Sequence, residues 1–369
     1  MQLKAEYPED IVEWIPFDKF MNIKYLAKGG FGIVFKAIRT DGLIEYCDDK
    51  NDQWKRGSQK NVCLKSLNGS KDIKGEFLNE VENQHKHGGK SAIAIYGITR
   101  NPEDGNYMIV MQYAKQGSLR KLLDNRYKDL SWRHKILNLR YIAEGFVAIH
   151  EAKLVHKDFH SGNIVNNNTF SSFITDFGLC RPVYQDSNST EIFGVLPYIA
   201  PEVLYTKGTE YTQKSDIYSF GIIMSEVFTG YPPYHDKPHN NDLAIQVCLG
   251  CRPKIRCKVP QILLDLMNEC LDAEPQNRPT AKLLKDKLNQ FYKDLSNDET
   301  VLYKQVEEIK DSGKNPSVYD QAKSTRFNYQ THKQAIYTSR PLDFSKLPKP
   351  INAPINAGSK PIEVEIPNV

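Results

Sequence analysis

The chain has 369 residues, of which 40% are hydrophobic and 25% charged, and its formal net charge is +4. These are globular proportions with room for two lobes and an accessory segment, and the charge is too small and mixed to point to nucleic acid. The best apolar run, Phe220 to Met224, is far too short to span a bilayer, and the acidic start (Glu6, Glu9, Asp10) does not read as a signal peptide.

Residues 1–19 form a mixed extension whose apolar knot, Trp14-Ile15-Pro16-Phe17, is expected to pack on the back of a sheet. Short β-like runs follow at Ile23 to Leu26 and Gly32 to Ala37, flanking the turn Ala27-Lys28-Gly29-Gly30-Phe31-Gly32. Missing side chains there let backbone N–H groups approach phosphate oxygens, although a plain hairpin turn is the commoner meaning of such glycines. The charged insertion from Asp41 to Asn61 is expected to be an extended, solvated hairpin loop. Val62-Cys63-Leu64-Lys65 reads as a strand, and a helix is expected from Ile73 to about His85, with Glu80 fifteen residues after Lys65. Two further strands, Ile93 to Ile98 and Tyr107 to Tyr113, flank a turn at Asn101 to Asn106.

Gly117 breaks the second of these before a short helix at Leu119 to Asn125. Trp132 to Glu151 carries Ile136, Leu139, Ile142, Ala143, Phe146 and Ile149 at helical spacing, so a core-facing helix is predicted. Thr280 caps a last predicted helix running to about Leu295. Seven of the 20 prolines fall after residue 315, and the segment 295–369 is expected to be a low-order tail, disordered or draped on the domain. Seven scattered cysteines suit reduced thiols in the cytoplasm, with the nucleus also open. Cys248, Cys251 and Cys257 have no second pair or histidine at ligand spacing, so thiols around a loop are favoured over zinc.

The chemistry concentrates in His156-Lys157-Asp158-Phe159-His160-Ser161-Gly162-Asn163 and, thirteen residues on, Asp176-Phe177-Gly178. Asp158 can accept the proton of an attacking hydroxyl, while Asn163 and Asp176 offer the hard oxygen ligands that Mg²⁺ prefers. With Gly29, Gly32 and Val34, the Lys65 strand, Ala200-Pro201-Glu202, Ser215-Asp216 and Arg278 in the right order, the chain resembles a eukaryotic protein kinase over residues 20 to 294. Gly194 to Glu202 and Tyr231-Pro232-Pro233-Tyr234 resemble the tyrosine-kinase-like group, particularly its expansion in fungi.

The resemblance implies an α+β, bilobal fold: a small β-rich N-lobe with one helix (20–114) and a larger, mostly helical C-lobe (118–294), with ATP and Mg²⁺ between them. It implies that Lys65 holds the α/β-phosphates, oriented by Glu80, and that Ala27, Lys28, Gly29, Gly30, Phe31 and Gly32 cover them. Val34, Cys63 and Val165 would sandwich the adenine beside Met111 at the gatekeeper position, and hinge residues Gln112 and Ala114 would bind its edge. Asn163 and Asp176 would bind Mg²⁺ and Asp158 would be the base. Arg278 would pair with Glu202. The implied partners are ATP and protein substrates, with no nucleic acid or membrane, and with an upstream kinase or autophosphorylation at Asp186 to Thr190.

Four residues depart from the pattern. Lys157 replaces arginine, His160 stands where serine/threonine kinases usually have lysine, Val195 replaces a threonine, and Gln84 occupies a site where an apolar residue normally packs on Phe177. From Gln84 the helix is expected to swing out readily, leaving Lys65–Glu80 formed only part of the time. Serine or threonine transfer is favoured over tyrosine. The alternative is a pseudokinase-like scaffold, which predicts loss of Lys65, Asp158, Asn163 or Asp176, all of which are present; a small-molecule kinase would not need Ala200-Pro201-Glu202 with Arg278.

Overall fold

The computed structural model describes residues 7–30, 32–48, 53–67, 75–87, 91–182, 192–312 and 329–353. Strands β1 (Glu13–Trp14), β2 (Phe20–Lys28), β3 (Gly32–Arg39), β4 (Ile44–Asp48), β5 (Gln53–Arg56) and β6 (Lys60–Leu67) precede helix α1 (Gly75–His87), and β7 (Ile95–Arg100) and β8 (Tyr107–Gln112) follow it. Six of these strands form one sheet in the order β1-β7-β8-β6-β3-β2, antiparallel except where β1 runs parallel to β7 at the edge. Alternation along β6 sorts its side chains. Val62 and Leu64 enter the back core with Ile15, Phe20 and Ala37, while Cys63 and Lys65 face the cleft between the lobes. The apolar knot divides in the same way: Ile15 is buried and Trp14 is exposed.

The charged insertion is a separate antiparallel hairpin of β4 and β5. It is tied to the sheet through Glu13, which pairs with Arg56 and, at 2.7 Å, with the buried Arg39. Helix α1 starts later and ends two residues later than its sequence suggests.

β9 (Gly117–Ser118) and α2 (Leu119–Arg126) open the C-lobe, and α3 (Trp132–Glu151) follows, with the Ser131 hydroxyl accepting the His134 N–H at its N-cap. The catalytic-loop region lies between short strands β10 (Leu154–Val155), β11 (Ile164–Asn168), β12 (Ser171–Ile174), β13 (Arg181–Pro182) and β14 (Ile192–Gly194). Helices α4 (Pro201–Tyr205) and α5 (Gln213–Thr229) come next. Every residue of α5 from Ser215 to Thr229 is buried, as expected of a helix at the centre of a large core.

Around α5 lie α6 (Asn241–Cys248), α7 (Gln261–Cys270) and α8 (Ala281–Asp294), the last presenting Ala281, Leu284, Leu288 and Phe291 on one buried face. The segment after residue 295, expected to be disordered or draped on the domain, departs from that expectation in one place and is draped in another. Helix α9 (Val301–Ser312) forms because Leu302 and Val306, one turn apart, give it an apolar stripe that joins the C-lobe core. Residues 329–353 lie against the C-lobe, and their strand β15 (Arg340–Leu342) satisfies its backbone groups on β14. Leu342 and Phe344 are buried in the same core.

Candidate active site

The two lobes enclose a cleft of about 320 Å³ lined from the sheet by Ala27, Lys28, Gly29, Gly30, Gly32, Val34, Cys63 and Lys65. Met111, Gln112, Tyr113 and Ala114 form its back, and Val165, Asp158, Asn163 and Asp176 its floor. Phe31 lies outside the described residues. Gly32 is required by packing: a Cβ there would come within 2.0 Å of the Ser66 carbonyl oxygen.

Lys65 Nζ sits 2.6 Å from Glu80 Oε1 and 3.0 Å from Asp176 Oδ1. Burial works to lower the Lys65 pKa, but the carboxylates of Asp176 and Glu80 outweigh it and raise it, so the ammonium stays charged. This pair requires α1 to be docked, as it is here. The Gln84 side chain is buried, and its Nε2 donates to the Ile93 carbonyl at 2.8 Å. The conformation found is the docked one, in which the Gln84 amide makes one bond to the sheet and leaves its Oε1 buried without a hydrogen-bond partner among the described residues.

The catalytic loop is fixed from below by Asp216 of α5. Its Oδ2 accepts the His156 N–H at 2.9 Å and lies 3.0 Å from His150 Nε2, and its Oδ1 accepts the Lys157 N–H at 3.3 Å. Asn163 Nδ2 donates to the Asp158 carbonyl at 2.8 Å and to Asp158 Oδ2 at 3.1 Å, so its side-chain oxygen is the group left to act as a ligand. Asp176 adopts a left-handed backbone, φ +66°, an uncommon conformation for a non-glycine residue. One neutral and one anionic oxygen at the cleft floor suit Mg²⁺, which takes few protein ligands and shares the rest with phosphates.

Burial works to raise the Asp158 carboxyl, but His160, the Ser339 hydroxyl and His156 prevail and hold it below the usual value. The backbone N–H of Gly162 donates to His160 Nδ1 at 3.1 Å, which leaves Nε2 as the N–H of the neutral ring. Lys157, at φ +68°, places Nζ 5.3 Å from the centre of the Tyr211 ring, and burial followed by Arg181 lowers its pKa. The expected phosphorylation segment, Asp186 to Thr190, lies outside the described residues.

Glu202 and Arg278 meet through two bonds of 2.7 Å, a buried bidentate pair that ties α4 to the segment before α8. This is the pairing the sequence suggested. The sequence did not suggest Ser339. Its hydroxyl lies 2.7 and 2.9 Å from the two Asp158 carboxylate oxygens and 3.1 Å from His160 Nε2, and it is buried.

The pattern defining the family of protein tyrosine and serine/threonine kinases matches residues 20–288. The chain belongs to the protein kinase family. Among its relatives, MDIS1-interacting receptor like kinase 2 of Arabidopsis thaliana is 29% identical over 295 residues, 75% of this chain and 26% of that protein. A probable serine/threonine-protein kinase of Dictyostelium discoideum is 34% identical over 198 residues, 52% of this chain and 18% of its own length. The calmodulin-binding receptor-like cytoplasmic kinase 3 of Arabidopsis thaliana is 29% identical over 226 residues, 59% and 41% respectively. The chain spans less than half the length of each of these relatives. Kinases of this family generally use ATP and Mg²⁺, and the donor set of the cleft fits both. Among the described residues no helix is long and apolar enough to cross a membrane.

Proposed function

We propose that this kinase transfers the γ-phosphate of ATP to protein hydroxyls, serine or threonine in preference to tyrosine, in cytoplasmic or nuclear signalling. The observation that carries the reading is the meeting of Lys65, Asp158, Asn163 and Asp176 in one cleft, with Glu80 closing on Lys65 at 2.6 Å. In this reading Lys65 holds the α/β-phosphates under the glycine turn, and Val34, Cys63 and Val165 clasp the adenine beside Met111 and the hinge at Gln112 and Ala114. Asn163 and Asp176 hold Mg²⁺, which when bound neutralises charge on the phosphates. Asp158 orients the acceptor hydroxyl and takes its proton. Positioning and fixed charge supply most of the acceleration.

The lean to serine or threonine is supported by the relatives named as serine/threonine kinases and by the depth of Asp158, which a serine hydroxyl reaches from an extended strand. Placement in the tyrosine-kinase-like group, and in its fungal expansion, rests on the motifs Gly194 to Glu202 and Tyr231 to Tyr234. The kinase domain is assigned to 20–294. Incubation with labelled ATP and Mg²⁺ and a mixed Ser/Thr/Tyr peptide library, followed by phosphoamino-acid analysis, tests this. Phosphoserine or phosphothreonine is expected, and phosphotyrosine alone would refute the acceptor preference.

A further inference from the structure

Residues 329–353 follow one continuous path over the C-lobe and across the mouth of the cleft. Tyr329 OH donates to Asp124 Oδ1 at 3.1 Å, Tyr337 OH to the Pro233 carbonyl at 2.9 Å, and Arg340 Nη2 to the His239 carbonyl at 3.0 Å. β15 then pairs antiparallel with β14, with Arg340 opposite Gly194, Pro341 opposite Phe193 and Leu342 opposite Ile192. The path ends where the Ile351 N–H donates to the Cys248 carbonyl at 2.9 Å.

Strand pairing of this kind gives a peptide affinity through its backbone and a fixed register. That register sets Ser339, the residue just before β15, against Asp158, with Tyr337 and Thr338 lining the same cleft. With Nε2–H of His160 donating to Ser339 Oγ, the serine proton is directed at the Asp158 carboxylate. The serine hydroxyl is thus held against the carboxylate, and the glycine turn packs on the backbone of the same residue: a Cβ on Gly30 would come within 2.6 Å of the Ser339 carbonyl oxygen.

We propose that residues 337–342 are a tethered substrate, that Ser339 is phosphorylated by its own catalytic loop, and that the unmodified strand keeps other proteins out of the acceptor groove. The proposal rests on the kinase reading above. In the step, Ser339 Oγ attacks the terminal phosphorus of ATP and its proton passes to Asp158. The bond from that phosphorus to the bridging oxygen breaks, and ADP leaves with the electron pair. The product carries a charge of roughly −1.5 to −2 against the Asp158 carboxylate, and this repulsion lifts the strand and opens the groove.

The test incubates the full-length chain with ATP and Mg²⁺, maps phosphate by mass spectrometry, and follows hydrogen exchange of residues 338–344. Phosphate is expected on Ser339 at a rate per molecule independent of protein concentration, since a tethered acceptor reacts intramolecularly. Exchange at 340–342 should quicken once Ser339 is modified. Myelin basic protein serves as the added acceptor. Leu342→Glu, which removes the buried anchor, should lower Ser339 phosphorylation and raise transfer to the added acceptor, each about tenfold. In Ser339→Ala, preincubation with ATP should not speed transfer to the added acceptor, whereas in the wild type it should. In the wild type, transfer to myelin basic protein as fast as in Leu342→Glu while Ser339 is still unmodified would overturn the proposal and leave the kinase reading intact. A rate that rises with protein concentration would overturn the intramolecular step. Absence of transfer to either acceptor, in wild type and Leu342→Glu alike, would overturn both.

Discussion

Asp158 and Asp176 are carboxylates on one cleft floor with different surroundings, and substitution should separate them. Asp176 lies 3.0 Å from Lys65 and offers anionic oxygen to a metal, so Asp176→Asn should weaken binding of Mg²⁺-ATP by about tenfold or more, as read by calorimetry. Asp158 is bonded by the Ser339 hydroxyl rather than by Lys65, so in the proposed mechanism Asp158→Asn should leave nucleotide affinity within about twofold while turnover falls by about a hundredfold or more. Equal loss of nucleotide binding in both variants would overturn the assignment. The meeting of Asp158 and Asp176 on one cleft floor was legible in the sequence because each lies in a short motif at a set spacing. Gln84 was only partly legible, for the opposite reason. Its polarity is visible in the sequence, but its bond to the Ile93 carbonyl depends on how α1 meets the sheet.

Among the elements, α3 shows how an apolar period can conceal a buried charge. The sequence marks Ile136, Leu139 and Ile142 as its inner face, and all three are buried. Lys135 is buried beside them, with Nζ 2.8 Å from Tyr127 OH and over the rings of Tyr127 and Trp132. Burial lowers its pKa to about 8, with Cys257 opposing the shift. The folded state therefore holds fewer protons than the unfolded chain between about pH 8 and the ordinary lysine value, and Lys135 makes stability rise with pH through that window. Lys135→Met, which keeps the stem and drops the ammonium, should stabilise the fold by about 2 kcal/mol at pH 7 and by less at pH 9. Urea midpoints at the two pH values check this, and a variant less stable at pH 7 would contradict it. The tie between α4 and α8 behaves differently. Arg278→Leu leaves Glu202 buried without its partner and should cost about 3–5 kcal/mol in the same measurement.

At the scale of the whole molecule, the bilobal arrangement and the order of motifs follow from strand alternation, helical periodicity and glycine placement, all of which are local properties. The course of 329–353 follows from none of them. Ser339 meets a carboxylate 181 residues away, and the strand beside it is three residues long, too short to carry a period. Its polar, proline-bearing composition suggests a segment disordered or draped on the domain, and it is draped because Leu342 and Phe344 anchor it and β14 supplies its backbone partners. The central claim is that this cleft transfers phosphate with Asp158 as the proton acceptor. Its most direct test is a single-turnover transfer of label from γ-labelled ATP to the full-length chain, for wild type and Asp158→Asn side by side at matched nucleotide occupancy. The account predicts labelled phosphoserine in the wild type and almost none in the variant; equal label in both would contradict it.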